Sequence, residues 1–180
     1  MAVIFLKRDK YERQRRFIMY RVSFTGYRPD KLPFFGEDDP MCIDLKERIF
    51  NKITALADDG ATDFYTGMAL GVDTWSAEAV LRLKSERPGI TLIALIPCPD
   101  QDSKWNAAQK RRYHNILKQC DRCLTISPKY TKDCMHKRNR ALVDMCDILV
   151  AVYDGKEGGT KYTVEYAKKQ GRKTIILPAV

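Results

Sequence analysis

Hydrophobic positions group into short apolar runs that alternate with longer segments of helical periodicity from residue 20 onward. Runs of four to seven apolar residues are typical of strands, and apolar spacing of three to four residues is typical of amphipathic helices. The predicted strands are 20–25, 63–66, 90–96, 122–126, 147–153 and 173–177. The predicted helices are 42–57, 72–84, 104–119, 134–145 and 162–170.

This alternation predicts an α/β fold with a doubly wound, mainly parallel sheet of about six strands. Parallel neighbours need crossover connections, and here a helix is available for each crossover. Runs that are apolar throughout, such as 90–96, are typical of strands buried on both faces. A chain of 180 residues is long enough for one such core and too short for two large ones. We therefore expect one Rossmann-like domain over 19–180.

Composition narrows the class of protein. The chain has no apolar run near the roughly 20 residues of a membrane span and no secretory signal at its start, so we expect a soluble, cytoplasmic protein with no membrane partner. Its six cysteines are too sparse for a disulfide scaffold. Cys120 and Cys123 raise the question of zinc, with Cys134 and His136 nearby, but only one pair has ligand spacing, so no metal is predicted.

The net charge of +9 points to an anionic partner, although its distribution is uneven. Four of these nine charges fall in residues 1–18, where six basic residues outnumber Asp9 and Glu12. This basic arm either binds nucleic acid through salt-sensitive phosphate contacts or is a solvated tail. A nucleic-acid partner is therefore less favoured by the sequence than a small ligand.

Ligands in parallel α/β sheets bind beyond the carboxyl ends of the strands, and the first strand ends in Thr25, Gly26, Tyr27 and Arg28. Arg28 could pair bidentately with a phosphate while Tyr27 stacks on a base or ribose. The alternative is a surface turn with an exposed arginine. Because of its place in the fold, we predict a ligand-binding turn.

The second strand runs into a glycine-rich turn that contains Gly67, Met68 and Gly71. Glycines allow close backbone approach, and a helix beginning near residue 72 would offer free N–H groups to a phosphate. Asp73, in the first helical turn, either stabilises the helix end or bonds to ribose hydroxyls. The spacing matches neither the dinucleotide fingerprint nor a Walker loop, so it does not identify the ligand.

A second glycine-rich turn follows the fifth strand and carries Asp154, Gly158, Gly159 and Thr160. Alone, these residues would be turn formers and a helix N-cap. Two such turns at one sheet edge favour a shared binding site. Between them lies the basic segment 134–140, in which Arg138 could neutralise a phosphate or stabilise charge on a leaving group opposite Glu165.

These segments resemble the SLOG superfamily. Residues 66–78 look like the glycine-aspartate signature of the Rossmann domain in DNA-processing protein A. Residues 135–139 and 158–165 are similar to the paired arginine and glycine-glycine-threonine-glutamate motifs of Lonely Guy phosphoribohydrolases. Their order over residues 20–180 most resembles the YpsA-like branch of bacterial and phage proteins. The resemblance implies a Rossmann-like fold and suggests a ligand such as NAD or ADP-ribose.

The departures from the phosphoribohydrolases leave catalysis open. Their arginine and glutamate are matched only by Arg138 and Glu165, while Glu157 replaces a proline and two residues are inserted before the glutamate. The leading hypothesis is binding of a nucleotide or nucleotide-derived ligand, in signalling or regulation, with no required cofactor. The alternatives are N-glycosidic hydrolysis of nucleoside monophosphates by Arg138 and Glu165, and single-stranded DNA binding. A homodimer is left open.

Overall fold

The computed structural model describes residues 19–179, and within this range strands alternate with helices. The predicted basic arm, residues 1–18, lies outside the described residues. The strands are β1 (Tyr20–Gly26), β2 (Ala61–Thr66), β3 (Thr91–Ile96), β4 (Arg122–Thr125), β5 (Ile148–Val152) and β6 (Lys173–Leu177). The helices are α1 (Pro40–Asp58), α2 (Val72–Glu86), α3 (Ala107–Leu117), α4 (Cys134–Asp144) and α5 (Gly159–Lys169). A single 3-10 turn, Pro29–Lys31, interrupts the long loop before α1.

The six strands form one sheet in the order β4-β3-β2-β1-β5-β6, and every neighbouring pair is parallel. The predicted α/β fold class is confirmed. The starts of α2 and α4 match the prediction, and those of α1, α3 and α5 differ from it by two or three residues. At α1 and α3 a capping side chain sets the start. Asp39 accepts a hydrogen bond from the N–H of Met41 and starts α1 at Pro40, and Asn106 forms a capping box with Gln109 that delays α3 to Ala107.

Both faces of the sheet are covered, which explains the apolar runs. Along β1, Val22 and Phe24 face one core, which also holds residues of α1, α2 and α3. Leu149 and Ala151 of β5 face the opposite core, beneath α4 and α5. The edge strand β4 departs from this pattern, since three of its four residues are exposed. Among the described helices, none has the length and apolar character needed to cross a membrane.

The order of the strands places a crevice between β1 and β5. The chain leaves β1 toward β2 on one side, and β5 pairs with β1 on the other. Connections that diverge in this way leave an opening at the carboxyl ends of the two strands, which is where ligands bind in open α/β sheets.

Candidate functional site

A cavity of about 440 Å³ opens at the carboxyl ends of β1 and β5, and we call it the β1–β5 cavity. It brings together most of the residues singled out by sequence, although they come from four separate segments. The predicted residues that line it are Thr25, Gly26, Tyr27, Arg28, Asp73, Arg138, Gly158, Gly159 and Thr160. The predicted residues that do not line it are Gly67, Met68, Gly71, Asp154 and Glu165.

A buried ion pair between Asp73 and Arg138 forms the floor of this cavity. Nη1 of Arg138 lies 3.0 Å from Oδ2 of Asp73, and the two side chains are only 6% and 7% exposed. Burial raises the pKa of Asp73, against the opposing effects of the Arg138 charge and the N–H of Ala69. Burial also lowers the pKa of Arg138, although an arginine remains protonated at neutral pH. Arg138 is thus already neutralised by the protein.

The two glycines after β2 leave space for this ion pair and for the neighbouring backbone. A Cβ on Gly67 would overlap Nη1 of Arg138 and lie 2.7 Å from Oδ2 of Asp73. Gly71 has a φ of +87°, and a Cβ there would lie 2.7 Å from the carbonyl oxygen of Tyr27. Other atoms therefore do approach the backbone closely at these two glycines, as the sequence predicted, but those atoms belong to the protein and not to a ligand.

Between these glycines, Met68 has a φ of 55°, which costs a non-glycine residue on the order of 1–3 kcal/mol. Two side chains hold it there. Thr66 Oγ1 accepts from the N–H of Met68 at 3.2 Å, and Gln101 Nε2 donates to the carbonyl oxygens of Gly67 and Met68 at 3.2 and 2.7 Å. Sequence reasoning missed Gln101. Its position just after β3, in a loop at the same sheet edge, was the one available signal.

Besides Lys31, which also lines the cavity, Arg28 provides free positive charge there. Its side chain is exposed and lines the cavity, and no described residue forms an ion pair or hydrogen bond with its guanidinium. The sequence placed phosphate recognition at both Arg28 and Arg138. The structure distinguishes them by charge, because Arg138 is paired with Asp73 whereas Arg28 has no described ion-pair partner. Arg138 nevertheless keeps a buried Nε without a described hydrogen-bond partner.

The start of α5 supplies the other free donors. Gly158 is the N-cap, with a φ of +143°, and no side chain caps the helix. The N–H of Tyr162 is bonded to the carbonyl oxygen of Gly158 at 3.1 Å, so the preceding groups at Gly159 and Thr160 have no intrahelical acceptor. Free N–H groups at a helix N-terminus favour an anion. The glycine turn after β5 therefore leaves its N–H groups open to a ligand, whereas the space beside the glycine turn after β2 is filled by the protein.

Tyr27 and Asp154 connect the loops after β1 and β5. The Tyr27 hydroxyl donates to Asp154, whose own N–H donates back to that hydroxyl oxygen at 3.3 Å. Hydrogen bonds from Lys156 and Tyr27 lower the pKa of Asp154 to about 2. Because Tyr27 is only 5% exposed, its ring does not present the open face that stacking on a base requires, which corrects the role assigned from sequence.

The structure does not bring Glu165 to Arg138. Glu165 lies on the second turn of α5 with its side chain 63% exposed, and its nearest cation is Lys161 at 3.9 Å. Arg138 meanwhile pairs with Asp73 beneath the cavity. The predicted arrangement of the two residues across a scissile bond is therefore absent from this structure.

No metal centre is evident within residues 19–179, where no three or more His, Cys, Asp or Glu side chains are grouped to hold an ion. Cys120 lies just before β4 and Cys123 lies within it, and both have free thiols. Burial raises the pKa of Cys120 to about 12, which keeps its thiol protonated at neutral pH.

A second and larger cavity, of about 880 Å³, adjoins the first beyond the end of β3, and we call it the β3 cavity. The two cavities share part of their lining: Arg28, Asp30, Ala69, Met135 and Arg138. Trp105 and Tyr130 line its far side. This cavity was not predicted from the sequence, because its walls come from loops distant from one another along the chain.

Comparison with known sequences yields a family model and individual relatives that each match most of the chain. The family model described as the YspA SLOG family matches residues 22–176. A UPF0398 protein of Bacillus pumilus (strain SAFR-032) is 32% identical over 150 residues, covering 82% of this chain and 81% of the relative. A UPF0398 protein of Bacillus thuringiensis (strain Al Hakam) is 35% identical over 153 residues, covering 83% of each. The family match extends from within β1 to within β6.

Two solved structures share the fold, both of DNA processing protein A. The Helicobacter pylori protein, described for its single-stranded DNA binding mode, has a TM-score of 0.62 and 22% identity, covering 88% of this chain and 65% of that one. The Streptococcus pneumoniae protein has a TM-score of 0.62 and 20% identity, covering 90% of this chain and 51% of that one. This chain thus spans less than two thirds of either.

Proposed function

The chain belongs to the YspA SLOG family, and from that premise we propose that it binds a nucleotide or nucleotide-derived ligand in the β1–β5 cavity. The ligand class is that of NAD, ADP-ribose or a nucleoside phosphate. One observation carries the proposal: the unpaired guanidinium of Arg28 and the uncapped N-terminus of α5 line the same cavity. Both are donor groups suited to phosphate oxygens.

The buried ion pair bears on this proposal through its charge. Asp73 neutralises Arg138, so the two add little net charge to the cavity floor. The attraction for an anion then comes from the helix end and from Arg28 and Lys31, which line the cavity without a described ion-pair partner. A ligand with adjacent phosphates could bind both groups at once, because each lines the same cavity of about 440 Å³.

Titration calorimetry with NAD, ADP-ribose and AMP tests the proposal, using the variant Arg28→Ala. Hydrogen bonds to charged groups contribute about 1.5–3 kcal/mol, so affinity should fall roughly 10- to 150-fold. Arg111→Ala is the matched control, because Arg111 is an exposed arginine of α3 outside both cavities. Its affinity should equal that of the wild type.

Two results would contradict the proposal. One is that the wild-type protein binds none of these ligands at millimolar concentration. The other is that Arg28→Ala and Arg111→Ala have the same affinity, since binding would then lie outside the β1–β5 cavity.

Single-stranded DNA binding is the second candidate function. It is favoured by the fold shared with DNA processing protein A and by the net charge of +9. Phosphate contacts make such binding strongly dependent on salt. Fluorescence anisotropy with a labelled oligonucleotide should show affinity that falls as salt is raised, with a smaller slope once residues 1–18 are removed. Affinity independent of salt would rule out this candidate.

The hydrolase alternative has less structural support, because Glu165 lines neither cavity. If the protein nevertheless releases free base from nucleoside monophosphates, we expect Glu165→Ala to leave the rate unchanged. Chromatographic measurement of the released base checks this. A rate reduced 100-fold or more by Glu165→Ala, within the range usual for a lost acid or base, would restore the original hypothesis.

A further inference from the structure

The β3 cavity is larger than the β1–β5 cavity and differs from it in chemistry. Its volume of about 880 Å³ lies within the range of small-molecule sites. A phosphate group fills only a small part of such a space. The cavity therefore has room for a further portion of any ligand whose phosphates lie beside it.

Arg28 joins the two cavities, because its side chain lines both. A ligand phosphate held by Arg28 would lie at the boundary between them, with the remaining ligand free to extend toward β3. Asp73 and the α5 N-terminus line only the β1–β5 cavity, so the donors of the helix end are confined to the first side.

The walls of the β3 cavity suit a flat aromatic ring. Trp105 is held edge-on against Tyr113, with ring centroids 5.2 Å apart at 80°, so its indole is fixed in place. Tyr130 lines the same cavity and is 64% exposed, so its ring is accessible to a ligand there. Aromatic side chains placed in this way bind bases by stacking.

The base of the cavity is rigid. Gln101 is 92% buried, and its amide nitrogen donates to the carbonyl oxygens of Gly67 and Met68, while its Oε1 has no described hydrogen-bond partner. It therefore acts as a positioning residue that holds the β2 turn against the cavity. The loop that contains Gln101 also supplies Asp100, Ser103 and Lys104 to the lining, and these provide polar groups for the edge of a ring.

From these observations we infer that the β3 cavity is a nucleobase subsite, with Tyr130 as its stacking residue. The inference rests on the proposed function, since it requires phosphates at Arg28. It narrows the ligand to one in which a planar heteroaromatic ring is joined to the phosphates, as in a nucleoside diphosphate or ADP-ribose. Phosphate-only ligands would occupy the β1–β5 cavity and leave the β3 cavity empty.

The test compares three probes by calorimetry: pyrophosphate, ADP and ADP-ribose. We expect Tyr130→Ala to weaken ADP and ADP-ribose by about 5- to 150-fold, the usual effect of removing one stacking ring, and to leave pyrophosphate within twofold. Tyr130→Phe keeps the ring and should retain wild-type affinity. Phe35→Ala is the matched control, because Phe35 is fully exposed and lines neither cavity.

Tryptophan fluorescence provides a second measurement. The chain has two tryptophans, of which Trp105 lines the β3 cavity and Trp75 is 3% exposed in the core. ADP should therefore change the emission of Trp105, whereas pyrophosphate should not. A change with pyrophosphate equal to that with ADP would oppose the subsite.

The outcomes separate this inference from the proposed function. If all three probes bind and Arg28→Ala weakens all three, but Tyr130→Ala affects none, the subsite is refuted and the proposed function stands. Equal weakening of pyrophosphate and ADP by Tyr130→Ala also refutes the subsite, since the ring would then act on the phosphate site. If the wild type binds no probe, the proposed function fails and the subsite fails with it.

Discussion

Substitution of Gly67 by alanine should disrupt the buried ion pair without removing either of its charges. The added Cβ would overlap Nη1 of Arg138 and lie 2.7 Å from Oδ2 of Asp73. The obstacle is the guanidinium of Arg138, whose side chain is only 6% exposed. The arginine must move away from Asp73, and two buried charges are then left without their partner.

The expected cost follows from that separation. Breaking a buried ion pair destabilises a protein by about 3–5 kcal/mol, because an uncompensated charge remains in the interior. For a domain of this size, 1 kcal/mol corresponds to roughly 2–4 °C in Tm, so Gly67→Ala should lower Tm by about 6–20 °C. Urea unfolding followed by circular dichroism measures the change in the free energy of unfolding.

Gly159→Ala is the matched control for this experiment. The nearest atom to a Cβ on Gly159 is Nδ2 of Asn139 at 3.8 Å, so the methyl group has ordinary space. We expect its free energy of unfolding to stay within about 0.5 kcal/mol of the wild type. The double variant Gly67→Ala/Asp73→Asn should lose less free energy of unfolding than the sum of the losses in the two single variants, since each substitution breaks the same ion pair. A loss from Gly67→Ala no larger than that from Gly159→Ala would refute the reasoning.

Two further predictions concern stability. Burial alone would raise the pKa of Glu37, but hydrogen bonds led by that from Arg112 lower it to about 2. Because this pKa is lower in the folded state than in the unfolded state, Glu37 contributes stability above about pH 4.5, and this contribution is lost as pH falls toward 2. Glu37→Gln should therefore reduce the dependence of the free energy of unfolding on pH in that window. Glu86→Gln should not change this dependence. Thr66→Val removes the acceptor of the Met68 N–H and should cost about 1–3 kcal/mol in urea unfolding; no change would exclude this role.

The sheet could be predicted from the sequence because the pattern that marks each strand lies within that strand. Each apolar run in β1, β3 and β5 is bounded by polar or turn residues, and burial on both faces leaves that pattern visible in the chain. The edge strand β4 was predicted from its short apolar run, although three of its residues are exposed. Helix starts were less accurate because capping depends on single side chains such as Asp39 and Asn106.

The sequence also allowed the inference that several of the candidate residues belong to one site. Parallel strands end at the same edge, so residues that follow β1, β2 and β5 must lie near one another. Arg28, Asp73, Arg138 and Gly159 do line a single cavity. Their individual roles could not be inferred, because a role depends on which groups a side chain meets.

The amino-acid sequence by itself thus determined the fold class and the edge of the sheet where the candidate site lies, since periodicity and strand order are properties of the chain. Only the tertiary structure decided which cation is free. Arg138 and Arg28 are equivalent as residue types, but packing places Asp73 against Arg138 and leaves Arg28 without a described partner. The β3 cavity was likewise decided by tertiary structure, because its walls meet only after the sheet has aligned distant loops.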